Sequence, residues 1–301
     1  MIEKEITVQL NISDEDLNLI DLHSVYNTLN VLKTAIKDLA TFSNKQEQLQ
    51  ALLLLIQEFS LNLRDSGKSV TVIKQIDEFI NKVTMAASNF VEIHGLQSNE
   101  TATNSLQNVI SITGILSLLG AELKERMENM SEWAEFPKEL LEFNFYAFFS
   151  AVAKNSKGKY KIIYNIAVRE EDSYMLSFHI DTIYGNKVYM PIMFQDIMRD
   201  LVANARKYSP VGGMIFAGLS ETEEYIRFAV EDYGAGIPDD EIDKVVEYKY
   251  RASNIREKNT NGGGFGLTKA YLLTKKFGGR MWIKSEVNVG TRIIIQIPKV
   301  K

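Results

Sequence analysis

The stretch Asp200-Leu-Val-Ala-Asn204-Ala-Arg-Lys207-Tyr208-Ser-Pro210 decides how the C-terminal half of the chain is read. Pro191 opens the pattern that contains it, and Pro210 with Gly212-Gly213 ends it, so the spacing predicts a helix over 191–208. Asp200, Asn204 and Lys207 recur at i, i+4 and i+7 and therefore share one polar stripe. The Asn204 amide oxygen suits Mg2+, a hard cation that keeps several waters and bridges phosphates. Lys207 would place a positive charge by the same phosphates, and Tyr208 offers a ring to stack on a base.

Two glycine-bearing stretches follow. Glu231-Asp232-Tyr-Gly234-Ala-Gly236-Ile-Pro238 leaves a predicted strand over 225–232. A carboxylate at Asp232 can accept from the exocyclic amine of adenine, while Gly234 and Gly236 let the backbone turn under the ring. Asn261-Gly262-Gly-Gly264-Phe-Gly266-Leu267 opens a predicted helix over 266–277, whose N-terminal N–H groups suit phosphate oxygens. Each piece is weak alone. The glycine turn follows a polar loop rather than a strand, which excludes a dinucleotide fingerprint, and the lysine lacks P-loop spacing.

Around these pieces the pattern predicts a short helix over 144–154 and strands over 160–168, 174–182, 187–190, 214–220, 280–286 and 291–298. A helix over 239–248 and a polar segment over 252–261 complete the half. The expected fold is an α+β sandwich with helices on a mixed sheet.

The N-terminal half reads differently. Residues 4–12 alternate apolar and polar, a half-buried strand that must pair outside the helical region following it. Ser13 and Asp16 fit a capping box. Leu22, Val25, Leu29, Leu32, Ile36 and Leu39 then repeat at bundle-helix spacing, with His23 and Asn27 off that seam, one turn apart and exposed. Further helices are expected over 46–64, 69–94 and 101–131, separated by polar breaks. The expected architecture is an all-α helical bundle over residues 1–136 followed by the sandwich over 137–301.

Composition excludes several classes. The chain has 301 residues, 45% hydrophobic, with a net charge of −5, so no basic field calls for nucleic acid. It has no cysteine and three histidines, which excludes disulfides and disfavours structural zinc. Its uninterrupted apolar runs, such as Ala51-Leu-Leu-Leu-Leu-Ile56, are short for a membrane span, and the N-terminus has no signal-peptide core. A cytoplasmic protein is expected.

Residues from about 140 to 298 resemble the ATP-binding (Bergerat-fold) domain of the GHKL superfamily, which includes histidine kinases, gyrase B, MutL and a heat-shock chaperone. The carrying motifs are Asp200…Asn204-Ala-Arg-Lys207-Tyr208-Ser-Pro, Asp232-Tyr-Gly234-Ala-Gly236, Gly262-Gly-Gly264-Phe-Gly266-Leu267, and Gly290-Thr291. The Asn-Ala-x-Lys-Tyr-Ser-Pro form is similar to histidine kinases in particular. The resemblance implies Mg2+ and ATP under a mobile lid, here about 237–263, with Thr291 joining the site. The chain departs from the kinase pattern at Val246-Glu-Tyr248-Lys-Tyr250-Arg251, where two phenylalanines are usual, and at Asp200, where kinases have Asn or Glu.

Leu22-His23-Ser-Val-Tyr-Asn27-Thr-Leu29 resembles the His-x-x-x-Asn-x-Leu pattern of histidine-kinase and sporulation-phosphotransferase dimerisation domains. That resemblance implies His23 as phosphoacceptor, Asn27 as the residue that orients water to dephosphorylate a response regulator, and a homodimer. Ser24 stands where most such kinases have Asp or Glu. His94 and His179 read as structural. Three functions are expected in order: a histidine kinase with a response-regulator partner and regulator-phosphatase activity, a non-catalytic ATP-binding adaptor, and an ATP-driven conformational machine in which Asp200 activates water.

Overall fold

The computed structural model describes residues 2–13, 20, 22–42, 47–65, 67–128, 132–154, 156, 159–164, 173–256 and 264–299. The chain forms two compact units that interleave in sequence. One draws on Met1–Ile20, Ser131–Tyr146 and Lys159–Lys301, the other on Asp21–Met130 and Ala147–Gly158. A single cut at 136/137 therefore does not describe the path of the chain, because its first segment belongs with the C-terminal unit.

In chain order the elements are β1 (Ile2–Glu5), α1 (His23–Ala40), α2 (Glu47–Arg64), α3 (Ser69–Lys74), α4 (Ile76–Ile93), α5 (Glu100–Glu128), β2 (Trp133–Pro137) and α6 (Lys138–Lys154). Then come β3 (Lys161–Ile163), β4 (Ser173–Thr182), β5 (Lys187–Pro191), α7 (Phe194–Tyr208), β6 (Met214–Glu221), β7 (Tyr225–Asp232), α8 (Gly266–Lys276), β8 (Arg280–Glu286) and β9 (Gly290–Pro298).

In the helical unit the apolar seam of α1 is buried throughout, from Val25 to Leu39, with Leu22 just before it. The expected helix over 69–94 breaks at Gln75, whose N–H is shared between the Thr71 and Val72 carbonyls. The break seats buried Ile76 against α5 at Gly120, where a methyl group would come within 2.7 Å of Ile76 Cγ2. The capping box falls on residues 14–19, outside those described. Among the described residues one helix, α5, is long and apolar enough to cross a membrane, with mean hydropathy 1.4 over its most apolar window and 44% of that window buried. No uninterrupted apolar run reveals it, because its apolar residues are interspersed with small polar ones.

In the other unit, among the described residues, seven strands form a mixed sheet in the order β1-β8-β9-β7-β6-β4-β3. β3, β4 and β6 run parallel to one another, and the remaining pairs are antiparallel. β6 and β7 alternate buried and less buried positions, as strands covered on one face do. Helix α7 packs on β6 and β7, and α8 on β8 and β9. The N-terminal strand pairs outside the helical region, as its alternation implies, but it is shorter and earlier than 4–12. It lies antiparallel on β8 with Glu5 opposite Trp282. Buried Ile6 extends it through an N–H bond of 2.9 Å to the Met281 carbonyl, and the Tyr271 hydroxyl donates to the Val8 carbonyl at 2.7 Å. The helix expected over 239–248 is two 3-10 turns, Asp239–Glu241 and Lys244–Val246.

A second sheet pairs β2 with β5. Glu221, buried at the end of β6, reaches it: Oε1 accepts the Tyr189 N–H at 3.0 Å, Oε2 accepts the Thr182 hydroxyl at 2.8 Å, and Lys299 Nζ lies 2.5 Å away. Removing one partner of a buried pair leaves the other charge uncompensated. Glu221→Ala is expected to lower unfolding free energy by about 3–5 kcal/mol, read from urea denaturation.

Candidate functional site

Helix α7 buries Ile197, Leu201 and Ala205, and Asp200, Asn204 and Lys207 form the less buried stripe beside them, so that Leu201, Asn204 and Ala205 share one pocket wall. Lys207 Nζ lies 5.2 Å from the centroid of the Tyr208 ring. Burial, then the nearby Arg251 and Arg206 guanidinium groups, lower Lys207 to about 8. An anion arriving there would relieve that unfavourable field. Asp200 is pushed up to about 6 by burial, against the pull of Lys269.

Asp232 closes β7. Its Oδ1 accepts the Gly234 N–H at 2.9 Å, and it stands opposite Thr291 of β9, whose backbone N–H also bonds to it. Burial raises its carboxyl to about 6, with those two N–H groups opposing the shift. The turn after Asp232 is packed backbone against backbone. The Ala235 N–H donates to the Tyr208 carbonyl at 3.1 Å, and a methyl group on Gly234 would lie 2.4 Å from that same oxygen. Gly236 has φ +67, and a methyl group on it would fall 2.0 Å from the Glu286 carbonyl. Gly236→Ala must therefore push this turn off the β8–β9 hairpin. Left-handed strain alone costs about 1–3 kcal/mol, so both the melting temperature and ATP affinity are expected to fall.

The third piece is partly described. Asn261, Gly262 and Gly263 lie outside the described residues. Gly264 has φ +78, and Gly266 opens α8 so close to α7 that a methyl group would lie 2.9 Å from Asn204 Nδ2. The structure brings Asn204, Tyr208, Asp232, Gly236, Leu267 and Thr291 to the walls of one pocket. Lys207, Gly234, Gly264 and Gly266 stand outside those walls.

The pocket also takes Ile237, Val245, Tyr250 and Arg251 from the segment after Asp232. Sequence reasoning placed them in the expected lid but named none of them individually as a binding residue. Part of the expected lid over 237–263 is tied down. Glu241 Oε2 accepts the Ser253 N–H at 2.7 Å, and Asn254 Nδ2 donates to the Ala235 and Gly236 carbonyls at 3.0 and 2.9 Å. Where kinases have paired phenylalanines, Val246 is buried, Tyr248 packs on Phe265 at 5.2 Å, and Lys249 takes φ 62 beside Gly264.

Among the described residues no three His, Asp or Glu side chains gather as a metal cage. On α7 the oxygen donors are the Asn204 amide, in the pocket wall, and one turn before it the Asp200 carboxylate, whose Oδ2 lies 3.4 Å from the Lys269 ammonium. That sparse, hard-oxygen set fits Mg2+ held mainly by phosphates and water.

His23 and Asn27 belong to the other compact unit. His23 begins α1 and is half-buried, and Asn27 is exposed. The Asn27 amide nitrogen lies 2.8 Å from His23 Nε2. His94 stacks edge-on against Phe90 at 4.6 Å with its Nε2 buried, and His179 points from the exposed side of β4.

Residues 190–301 match the family of histidine kinase-, DNA gyrase B-, and HSP90-like ATPases, which places the pocket within the matched region. Within the class the similarity is to sensor histidine kinases. Sensor histidine kinase WalK of Bacillus subtilis is 34% identical over 104 residues, covering 34% of this chain and 17% of that protein. Sensor histidine kinase RppB of Synechocystis is 32% identical over 102 residues, covering 34% and 22%. The chain thus aligns with less than a quarter of the length of these relatives. Among solved structures, the catalytic domain of histidine kinase ThkA is 21% identical with TM-score 0.40, over 56% of this chain and 95% of that one.

Proposed function

We propose that this protein is a two-component histidine kinase that phosphorylates His23 from Mg2+-ATP and passes the phosphoryl group to an aspartate of a response regulator. The observation that carries the reading is the convergence of Asn204, Tyr208, Asp232 and Thr291 on one pocket within the matched ATPase region. In this reading Asp232 accepts from the adenine amine, Tyr208 covers the base, and Lys207 with the first turn of α8 receives the phosphates. Asn204 holds Mg2+, which would neutralise and orient those phosphates when bound. The His23 Nε2 lone pair forms the new N–P bond as the bond between the γ-phosphorus and its bridging oxygen breaks, and ADP leaves with that oxygen. The ring proton stays on Nδ1. Asn27, one turn on, orients water for dephosphorylating the regulator.

A homodimer built through the helical region, a cytoplasmic location and a response-regulator partner complete the proposal. The domain roles follow: the region up to residue 136 carries the acceptor, and residues 137–301 carry the ATP site, joined by the N-terminal strand. Incubation with γ-labelled ATP should give an acid-labile, base-stable label that moves to an added regulator; no label on the wild type would sink the reading.

A second reading, an ATP-binding adaptor without phosphotransfer, draws on Ser24 beside His23 and on Asn27 occupying Nε2. Mg2+-ATP binding without any label would favour it.

A further inference from the structure

Lys269 sits in the first turns of α8 with its side chain 1% exposed. Its ammonium is hydrogen-bonded to Asp196 Oδ2 and lies 3.4 Å from Asp200 Oδ2, and Arg199 Nη2 lies 3.6 Å from Asp196 Oδ1. Two acids and two bases thus form a buried group of balanced formal charge. A buried ammonium is costly unless paired, and an apolar side chain would fill this place in the core more cheaply. The lysine therefore calls for a reason.

The reason lies in where the group stands. Helices α7 and α8 approach at two levels. At the first, Gly266 abuts the Asn204 amide. At the second, about one turn along each helix, Lys269 meets Asp200. Asp200 turns Oδ2 to Lys269, where that oxygen is buried without a hydrogen-bond partner, yet the side chain keeps 21% exposure. The exposed part belongs to the same stripe as Asn204.

We propose that Lys269 is a positioning residue for the nucleotide site: its buried ammonium fixes the Asp200 side chain beside Asn204, where Asp200 would support a water of the Mg2+ shell when Mg2+-ATP binds. This extends the Mg2+-ATP reading of the pocket and is independent of histidine phosphorylation. An apolar residue at 269 would remove the cation that fixes the Asp196 and Asp200 side chains in place.

Calorimetric titration of the full chain with ATP, in excess Mg2+ and again in EDTA, tests this. Lys269→Met is expected to weaken ATP binding about 10-fold or more in Mg2+, the usual effect of losing a residue that supports a metal's ligands, and to leave binding in EDTA unchanged. Lys269→Arg should retain most of the affinity. Asp200→Ala should weaken Mg2+-ATP to the same degree, and Lys269→Met with Asp200→Ala should be no weaker than either alone. If Lys269→Met does not fold, Lys269→Met with Asp196→Asn, which also removes a facing charge, carries the same titrations. Equal losses in Mg2+ and EDTA, additive losses in the double variant, or unchanged affinity would each overturn the role of Lys269. A wild type that binds ATP no better with Mg2+ than with EDTA would instead overturn the Mg2+-ATP reading itself.

Discussion

Replacing His23 by alanine is expected to reduce labelling from γ-labelled ATP to background while ATP binding stays unchanged. His23 and the ATP pocket belong to separate compact units, so the substitution removes the acceptor without touching the site that holds the nucleotide. The geometry adds a second expectation. The Asn27 amide nitrogen faces His23 Nε2 at 2.8 Å, a contact that forms a hydrogen bond in the tautomer whose ring proton is on Nδ1. That is the tautomer a nucleophilic Nε2 needs, but its lone pair is engaged. Asn27→Ala frees it. One neutral hydrogen bond contributes about 1 kcal/mol, so labelling of Asn27→Ala should be up to about fivefold faster. Loss of the water-orienting amide should in turn abolish dephosphorylation of the regulator. Equal labelling of wild type and His23→Ala would remove His23 from the mechanism. Slower labelling of Asn27→Ala would show that the amide assists the ring rather than restrains it.

Asp232→Asn is expected to weaken ATP binding by about 100-fold, because a charged acceptor is lost and an amide N–H2 can face the adenine amine, donor to donor. The same change should stabilise the unliganded protein. The Asp232 carboxyl is raised to about 6 by burial, above the ordinary 3.8. A raised carboxyl binds its proton more tightly in the folded state, so stability is highest below the unfolded value and declines as pH rises through about 6. At pH 7.5 the ionised group therefore costs about 3 kcal/mol, the shift converted at 1.36 kcal/mol per unit. Asparagine carries no such charge and can still accept the Gly234 N–H. The melting temperature of Asp232→Asn should exceed the wild type's by about 2–4 °C per kcal/mol recovered at pH 7.5, and the gap should close by pH 4. In the wild type, ATP affinity should fall as pH drops below about 6 and the acceptor protonates. An Asp232→Asn protein that binds ATP normally, or that melts lower at pH 7.5, would show that this carboxylate serves packing rather than the base.

Much of the site was legible because its requirements are local. Gly236 must take a left-handed turn against the Glu286 carbonyl, and Asn204 must stand one helical turn from Asp200; both show as residue type and spacing. The segment after Asp232 was expected to cover the pocket as a lid, but that Tyr250 and Arg251 are the residues in its wall was not legible, since their side-chain directions depend on contacts distant in sequence. The helix expected over 239–248 failed for the same reason. Its backbone is held by contacts from distant positions, such as Thr268 Oγ1 donating to the Glu247 carbonyl at 3.1 Å, and two 3-10 turns accommodate them.

By itself the sequence determined most of the helical stretches, the alternating strands, and that Asn204, Tyr208, Asp232, Gly236, Leu267 and Thr291 belong to one region of the fold. These follow from periodicity and from backbone angles that act over a few residues. Only the tertiary structure decided that the first strand closes the far edge of the C-terminal sheet against β8, that Glu221 ties the small sheet to the large one, and that Lys269 stands between Asp196 and Asp200. Strand edges and buried charges are satisfied by whatever partner the fold brings within about 3 Å, however far away in sequence, and a lysine in an apolar helix pattern carries no mark of the carboxylates it will meet.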